Sequence, residues 1–289
     1  MNRVQVWTHA ARPKTLIAGI SPALIGVTVA ISHGVFDGIL FLFTLLTGMC
    51  IQIGTNLVND YFDCIKGADT AERKGFMRVT QAGLVSPASM KRAILLLFSI
   101  AAACGCYLIW HGGAMIGIML ALYILLSVLY TAGPMPLAYL GLGDVLVLFL
   151  YGPAAVLITY YLQTGLLSSE AVIAGISPGA ISMAILAVNN VRDIDEDHAA
   201  NKKTLVVRFG RTFGKCQYLF AFFLALLPPL YFCLHRPYTL LALLVMIPAL
   251  PLMRQMVMNK DPHLLNQLFG KTGQILWLFT LLFCIGWML

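Results

Sequence analysis

The chain has 289 residues, of which 60% are apolar and 11% charged, against roughly 45–50% and 25% in an ordinary soluble domain. That composition excludes a water-soluble globule and a disordered chain, and seven cysteines without paired spacing exclude a small disulfide scaffold. A multispanning membrane protein remains.

In chain order, apolar runs of the ~20 residues needed to cross a bilayer fall near 15–33, 36–58, 92–111, 113–131, 143–163, 170–190, 216–235, 238–257 and 272–289. The predicted fold is an all-α polytopic membrane protein of nine transmembrane helices, one domain over 1–289. The first run follows Arg3, Arg12 and Lys14 and is too long for a signal-peptide core, so it is expected to stay as the first span. Pro22, Pro153, Pro178, Pro228, Pro229, Pro248 and Pro251 fall inside spans, where they bend helices and free backbone carbonyls.

The net charge of +7 raises the question of nucleic acid, which the distribution answers. With loops alternating sides, eighteen of the 19 Lys and Arg residues fall on the side of the N-terminus and Arg236 alone on the other. This is the positive-inside pattern. It predicts a cytoplasmic N-terminus, an external C-terminus, a place in the cell inner (cytoplasmic) membrane and no nucleic-acid partner.

Eight of the twelve acids occupy two short segments, Asp60, Asp63, Asp69 and Glu72 in one and Asp193, Asp195, Glu196 and Asp197 in the other. Each segment begins as the end of an apolar helix and carries amides before acids: Gln52, Asn56, Asn59, Asp60, Asp63, then Asn189, Asn190, Asp193, Asp197. Steps of three and four put each set on one helical face. Stacked carboxylates repel, so a helix that keeps them without interleaved bases is read either as a solvated helix end or as a cation site. The repeated Asn-x-x-x-Asp step, Asn59 to Asp63 and Asn189 to Asp193, favours the cation and suggests an internal duplication relating helices 2 and 3 to helices 6 and 7. Two acidic helix ends would then face each other across one cavity.

Carboxylate and amide oxygens without clustered His or Cys suit a hard cation, Mg²⁺ in particular where phosphate oxygens complete the shell. The six histidines are scattered, and Cys50, Cys104, Cys106, Cys233 and Cys284 lie in apolar spans as small hydrophobes. Bases adjoin the acids: Arg73, Lys74 and Arg78 after the first cluster, Arg192, Lys202, Lys203 and Arg208 around the second. They either anchor the inner leaflet or, beside Mg²⁺, hold a diphosphate. A diphosphate at the mouth of a membrane cavity implies an organic part in the lipid, which a polyprenyl diphosphate supplies.

Asn59-Asp60-Tyr61-Phe62-Asp63 and Asp193-Ile194-Asp195-Glu196-Asp197, on nine apolar spans, resemble the UbiA superfamily of intramembrane prenyltransferases. Ala11-Arg12-Pro13-Lys14-Thr15-Leu16, Tyr130-Thr131-Ala132-Gly133-Pro134 with Tyr139-Leu140-Gly141-Leu142-Gly143-Asp144, and Asn189-Asn190-Val191-Arg192-Asp193 are similar to its 1,4-dihydroxy-2-naphthoate polyprenyltransferases, of menaquinone synthesis. The resemblance implies helices around a central cavity that faces the cytoplasm, a Mg²⁺ cofactor, and a polyprenyl group transferred to the naphthoate with loss of carbon dioxide. It implies Asn59, Asp60, Asp63, Asp193 and Asp197 as holders of metal and diphosphate, with Asp63, Asp193 and Lys203 central to catalysis. Asn56, Arg73, Arg78, Asn190, Arg192, Lys202 and Lys203 are the further candidates for substrate. Tyr130 and Tyr139 either stabilise an allylic cation through their ring faces or anchor the interface. Arg12 and Lys14 either bind the acceptor carboxylate or fix topology.

Another acceptor, such as 4-hydroxybenzoate, homogentisate or haem, remains open, and a cation-coupled transporter is a reading from a different class. Transporter acids belong near the bilayer midplane, whereas these begin at helix ends. The family pattern N-D-x-x-D-x-x-x-D asks for an acid at 67, where this chain has Gly67 and then Asp69. The expectation is that the chain turns at Gly67 and Asp69 supplies the missing ligand.

Overall fold

The computed structural model describes residues 1–66 and 75–289. Among them every regular element is helical. A short helix, α1 (Arg3–Ala11), is capped by Asn2, whose side chain accepts from the Gln5 amide at 2.8 Å while the Gln5 side chain accepts from the Asn2 amide at 3.0 Å. It ends at Arg12, left-handed at φ 51°, and Pro13 opens α2 (Pro13–Ser32) at once. A proline disfavours the helical region for its predecessor and is itself ready-made for a first turn. The chain therefore turns a corner with Arg12 at its apex.

Asp37 caps α3 (Gly38–Ile65) by accepting from the Ile39 and Leu40 amides, both at 2.9 Å. At 1.5 Å per residue its 28 residues run about 42 Å, past the ~30 Å of a hydrocarbon core. The surplus is the end that carries Asn56 to Asp63, seven residues beyond the predicted limit of that span.

The predicted third and fourth spans both lie in α4 (Pro87–Leu129), which is interrupted at Gly113, φ 73° and ψ −168°. In a continuous helix residues 105 and 120 would stand about 22 Å apart. Here a Cβ built on Gly105 would touch the Leu120 side chain at 2.0 Å, and one on Gly117 would meet Ile109 at 3.5 Å. The two halves thus fold back as a hairpin, and only glycine takes the positive φ of its turn without strain.

The next span is three pieces in line: α5 (Gly143–Phe149), a π-helical turn over Leu150–Ala154, and α6 (Ala155–Thr164). The wide turn surrounds Gly152 and Pro153, because proline has no N–H to continue the ladder. It also brings α5 against α7 (Ser169–Arg192) at glycines. A Cβ on Gly179 would sit 2.1 Å from the Leu148 carbonyl oxygen, and one on Gly175 2.5 Å from Pro153 Cα. Small residues four apart permit this approach. Helix α7 is the most buried span and forms the axis of the bundle.

After α7 come α8 (Ile194–Ala199) and α9 (Leu205–Phe232), the latter capped by Thr204 and starting 11 residues before its predicted span. The predicted eighth helix is a 3₁₀ segment, Pro237–Val245, leading into α10 (Met246–Met258), and α11 (Pro262–Met288) closes the chain under an Asp261 cap. Helix α7 packs on α9, α2 on α6, α3 on α4, and α11 on both α2 and α7. The cavity lies between the ends of α2, α3, α5 and α7.

Candidate active site

The cavity holds about 180 Å³. Its deeper walls are apolar, with Ala18, Leu126, Leu146, Leu150 and Ile185, and its mouth is polar, with Asn59, Asp63, Arg78, Tyr130 and Lys202.

At the mouth each acid faces a base. Asp63, at the end of α3, accepts from Arg78 Nη2 at 3.0 Å. Asp193, between α7 and α8, receives Arg192 Nε at 2.6 Å and Nη2 at 2.7 Å. Asp197 of α8 meets Lys202 Nζ at 3.2 Å. Burial disfavours the charged forms, and it pushes the Asp197 carboxyl above the usual carboxylate range against the opposing pull of Lys202. Burial also opposes the Lys202 ammonium, yet Asp197, Asp63, Tyr130 and Asp193 together hold it above the usual lysine value. Acids from both clusters therefore act on one ammonium, which is the face-to-face arrangement expected from the sequence.

Two loops close over this mouth. The segment 130–142 is tied to 202–208 by the Lys203 amide donating to Tyr139 O at 3.1 Å and Arg208 Nη2 donating to Leu140 O at 2.9 Å. Gly141, at φ 77°, permits the contact, since a Cβ there would lie 3.0 Å from Lys203 O. On the other side Lys66 Nζ donates to Thr131 O at 2.8 Å and Gly133 O at 3.2 Å, and Thr131 Oγ1 donates to Asn59 Oδ1 at 2.5 Å. Partial burial lowers the Lys66 ammonium, and Asp63 opposes that shift.

Of the expected residues, Arg12, Asn56, Asn59, Asp63, Arg78, Tyr130, Asn190 and Lys202 line the cavity. Asn56 also ties the corner at Arg12 in place, donating to Ala11 O at 2.9 Å and Thr15 Oγ1 at 3.0 Å. Arg192 is buried behind Asp193, gripping Asn189 Oδ1 at 2.5 Å and Asn266 Oδ1 at 2.7 Å. Lys14 lies over the Phe76 ring, 5.5 Å from its centroid, and the Tyr139 ring lies beneath the ammoniums of Lys66 and Lys202 at 5.0 and 5.9 Å.

Two further expected residues do not line the cavity. Asp60 does not face the cavity: its oxygens accept from the Val79 amide at 3.1 Å and the Thr80 amide at 3.0 Å, so it tethers the turn beyond Arg78. Lys203 is exposed, and of the two lysines it is Lys202 that enters the cavity. Gly67, Asp69 and Arg73 lie outside the described residues.

Sequence reasoning missed Lys66, Tyr151 and Asp144. Lys66 stands three residues after Asp63 on the same helical face, a signal that was available. Tyr151, which hydrogen-bonds Gln52, is brought there by the π turn and carries no local signal. Asp144 is an acid at the start of an apolar span, itself a marker of function.

Among the described residues Asp63 Oδ1 is buried without a hydrogen-bond partner, and a carboxylate oxygen is the ligand type a hard cation takes. Among the described residues no group of three His, Cys, Asp or Glu closes a metal site unaided.

The UbiA prenyltransferase family model matches residues 19–283. The chain is 32% identical to a 1,4-dihydroxy-2-naphthoate octaprenyltransferase of Escherichia coli (strain K12), over 99% of this chain and 96% of that one. It is 31% identical to the protein of the same name from Haemophilus influenzae (strain ATCC 51907 / DSM 11121 / KW20 / Rd), over 98% and 96%. Its fold matches the structure of a UbiA homolog from Archaeoglobus fulgidus bound to GPP and Mg²⁺, with a TM-score of 0.63, 15% identity, and coverage of 98% of this chain and 100% of that one.

Proposed function

Because the chain belongs to the UbiA prenyltransferase family, we propose that it transfers a polyprenyl group from an allylic polyprenyl diphosphate to 1,4-dihydroxy-2-naphthoate, with loss of carbon dioxide, giving demethylmenaquinone in its hydroquinone form. The observation that carries this reading is the set of three acid–base pairs from two separate helix ends, Asp63–Arg78, Asp193–Arg192 and Asp197–Lys202, of which Asp63, Arg78 and Lys202 line the mouth of an apolar cavity. The naming of relatives at about a third identity over nearly the whole chain supports the acceptor.

Each pair contains one partner for a cation and one for an anion. Arg78 and Lys202 are proposed to bind the diphosphate oxygens, which would free the carboxylates of Asp63 and Asp197 to hold a metal ion. Asn59, Asp63, Asp193 and Asp197 are the residues proposed to hold Mg²⁺, which the related fold carries together with GPP; bound there it would neutralise charge developing on the leaving diphosphate. Lys202 and Arg78 share that task from the protein side.

The allylic C–O bond breaks with its electron pair going to diphosphate. The apolar walls keep water from the allylic carbon, and the Tyr130 ring borders its path. The ring carbon bearing the carboxylate then bonds to that carbon, and carbon dioxide departs, leaving its electron pair in the ring. Arg12, held at its corner, is proposed to receive the acceptor carboxylate.

The basic residues crowd around the mouth, so the site is proposed to open on the cytoplasmic side of the inner membrane, with lipid around the apolar spans. On this reading the α4 hairpin crosses twice, which makes nine crossings of the eight helices long and apolar enough to span. The test is mass spectrometry after purified protein meets dihydroxynaphthoate, a polyprenyl diphosphate and Mg²⁺. A product equal to the two organic parts joined with loss of carbon dioxide is expected, and transfer to none of these overturns the assignment.

A further inference from the structure

Asp144 stands apart from the paired acids. It lies in the first turn of α5, is 2% exposed and lines the cavity. Its Oδ1 accepts from Gln217 Nε2 at 2.7 Å and from Asn190 Nδ2 at 3.3 Å, and neither amide reaches Oδ2. Both partners are neutral. Among the described residues no ion pair is formed by this acid.

A carboxylate buried in a span and held only by amides is costly unless its charge is used. Its position suggests the use. Asn190 precedes Asp193 by three residues, so Asp144 sits about 4.5 Å, nearly one turn, beneath the acid–base pairs along α7. Tyr130 flanks it: a Cβ on the neighbouring Gly143 would lie 2.9 Å from the Tyr130 hydroxyl. The same cavity wall offers a buried polar atom without a hydrogen-bond partner among the described residues, Ser182 Oγ, 3% exposed and roughly 12 Å further down α7. A ligand with polar groups of its own is needed below the mouth, and an isoprenoid chain has none.

We propose that Asp144 recognises the aromatic acceptor, its carboxylate accepting the hydrogen of a ring hydroxyl. The inference rests on the prenyl-transfer reading and adds to it the residue that selects a hydroxylated ring. The hydrogen bond fixes the ring one turn below the diphosphate and pushes electron density into it as the allylic carbon arrives. No net proton is consumed: the hydroxyl hydrogen stays shared with Asp144, the new carbon–carbon bond forms, and the electron pair left by carbon dioxide restores the ring.

The test compares dihydroxynaphthoate with its dimethoxy analogue, which keeps the ring and carboxylate and loses the hydroxyl hydrogens. Wild-type protein should bind the dihydroxy compound about 10- to 100-fold more tightly, the factor of one hydrogen bond to a charged group. Asp144→Asn keeps an oxygen for Gln217 and Asn190, so its fold should hold while the preference falls to within about twofold. Should that variant not fold, Asp144→Thr reads the same ratio. Prenyl diphosphate affinity should be unchanged in either variant. An equal preference in wild type and variant, or none in wild type, overturns the role of Asp144. Wild-type transfer to dihydroxynaphthoate is scored separately, so failure of the enzyme assignment is distinguishable from failure of this one.

Discussion

Replacing Asp60 by alanine should weaken substrate binding although Asp60 does not reach the cavity. Its carboxylate holds the Val79 and Thr80 amides, in the turn that delivers Arg78 to Asp63. Hydrogen bonds to a charged group contribute about 1.5–3 kcal/mol each, so the two together hold this turn with about 3–6 kcal/mol. Alanine also leaves two buried N–H groups unmatched, while α3 loses nothing, since alanine is the better helix former. The cost therefore falls on the turn, which can open locally without global unfolding. Hydrogen exchange at Val79 and Thr80 should accelerate, and prenyl diphosphate affinity should fall at least about tenfold, a loss of ~1.4 kcal/mol in binding. Asp60→Asn, which retains one acceptor oxygen, should fall between. If Asp60 were instead a metal ligand, Asp60→Asn would raise the half-saturating Mg²⁺ concentration and leave those amides protected; that pattern would refute the tether.

Lys202→Met should raise KM for prenyl diphosphate about tenfold or more through loss of a charged contact, whereas Lys203→Met, at an exposed position, should change it less than about twofold. Gly179→Ala would drive a Cβ to 2.1 Å from the Leu148 carbonyl, so its Tm should drop sharply; Gly48→Ala, whose Cβ meets nothing within 4 Å, should leave Tm unchanged or slightly raised. A reporter fused after Leu289 should respond as external and one inserted at 75–86 as cytoplasmic; the reverse pattern would overturn the orientation, and both on one side would overturn nine crossings.

The spans were legible because a bilayer demands long apolar runs, and helical segments cover most of each predicted run. Their ends were not. Helix α3 continues to Ile65 and α9 begins at Leu205, because polar turns outside lipid keep their ladder when capped or packed, and hydropathy does not register this. Nor does composition reveal that Pro237–Val245 winds as a 3₁₀ helix or that Gly152 and Pro153 open a π turn. The repeated Asn-x-x-x-Asp step does point to two acids that the structure pairs with bases, Asp63 and Asp193, since a helical face is a local property. The choice between Lys202 and Lys203 was out of reach: it turns on the 130–142 loop bonding the Lys203 amide, a contact between segments more than 60 residues apart.

The stacked carboxylates are balanced within the protein. Repulsion along a helix face favours a bound cation, yet Asp63 and Asp197 are balanced by Arg78 and Lys202, which arrive from other segments. Protein bases thus make the site stable without a ligand, and this matters for binding. Three buried acids with no counter-charge would resist folding, while three that were fully satisfied would have nothing to offer a metal. Asp63 lies between these limits: Oδ2 is held by Arg78, and among the described residues Oδ1 is buried without a partner. One oxygen secures the fold, and on the proposed reading the other serves the ligand.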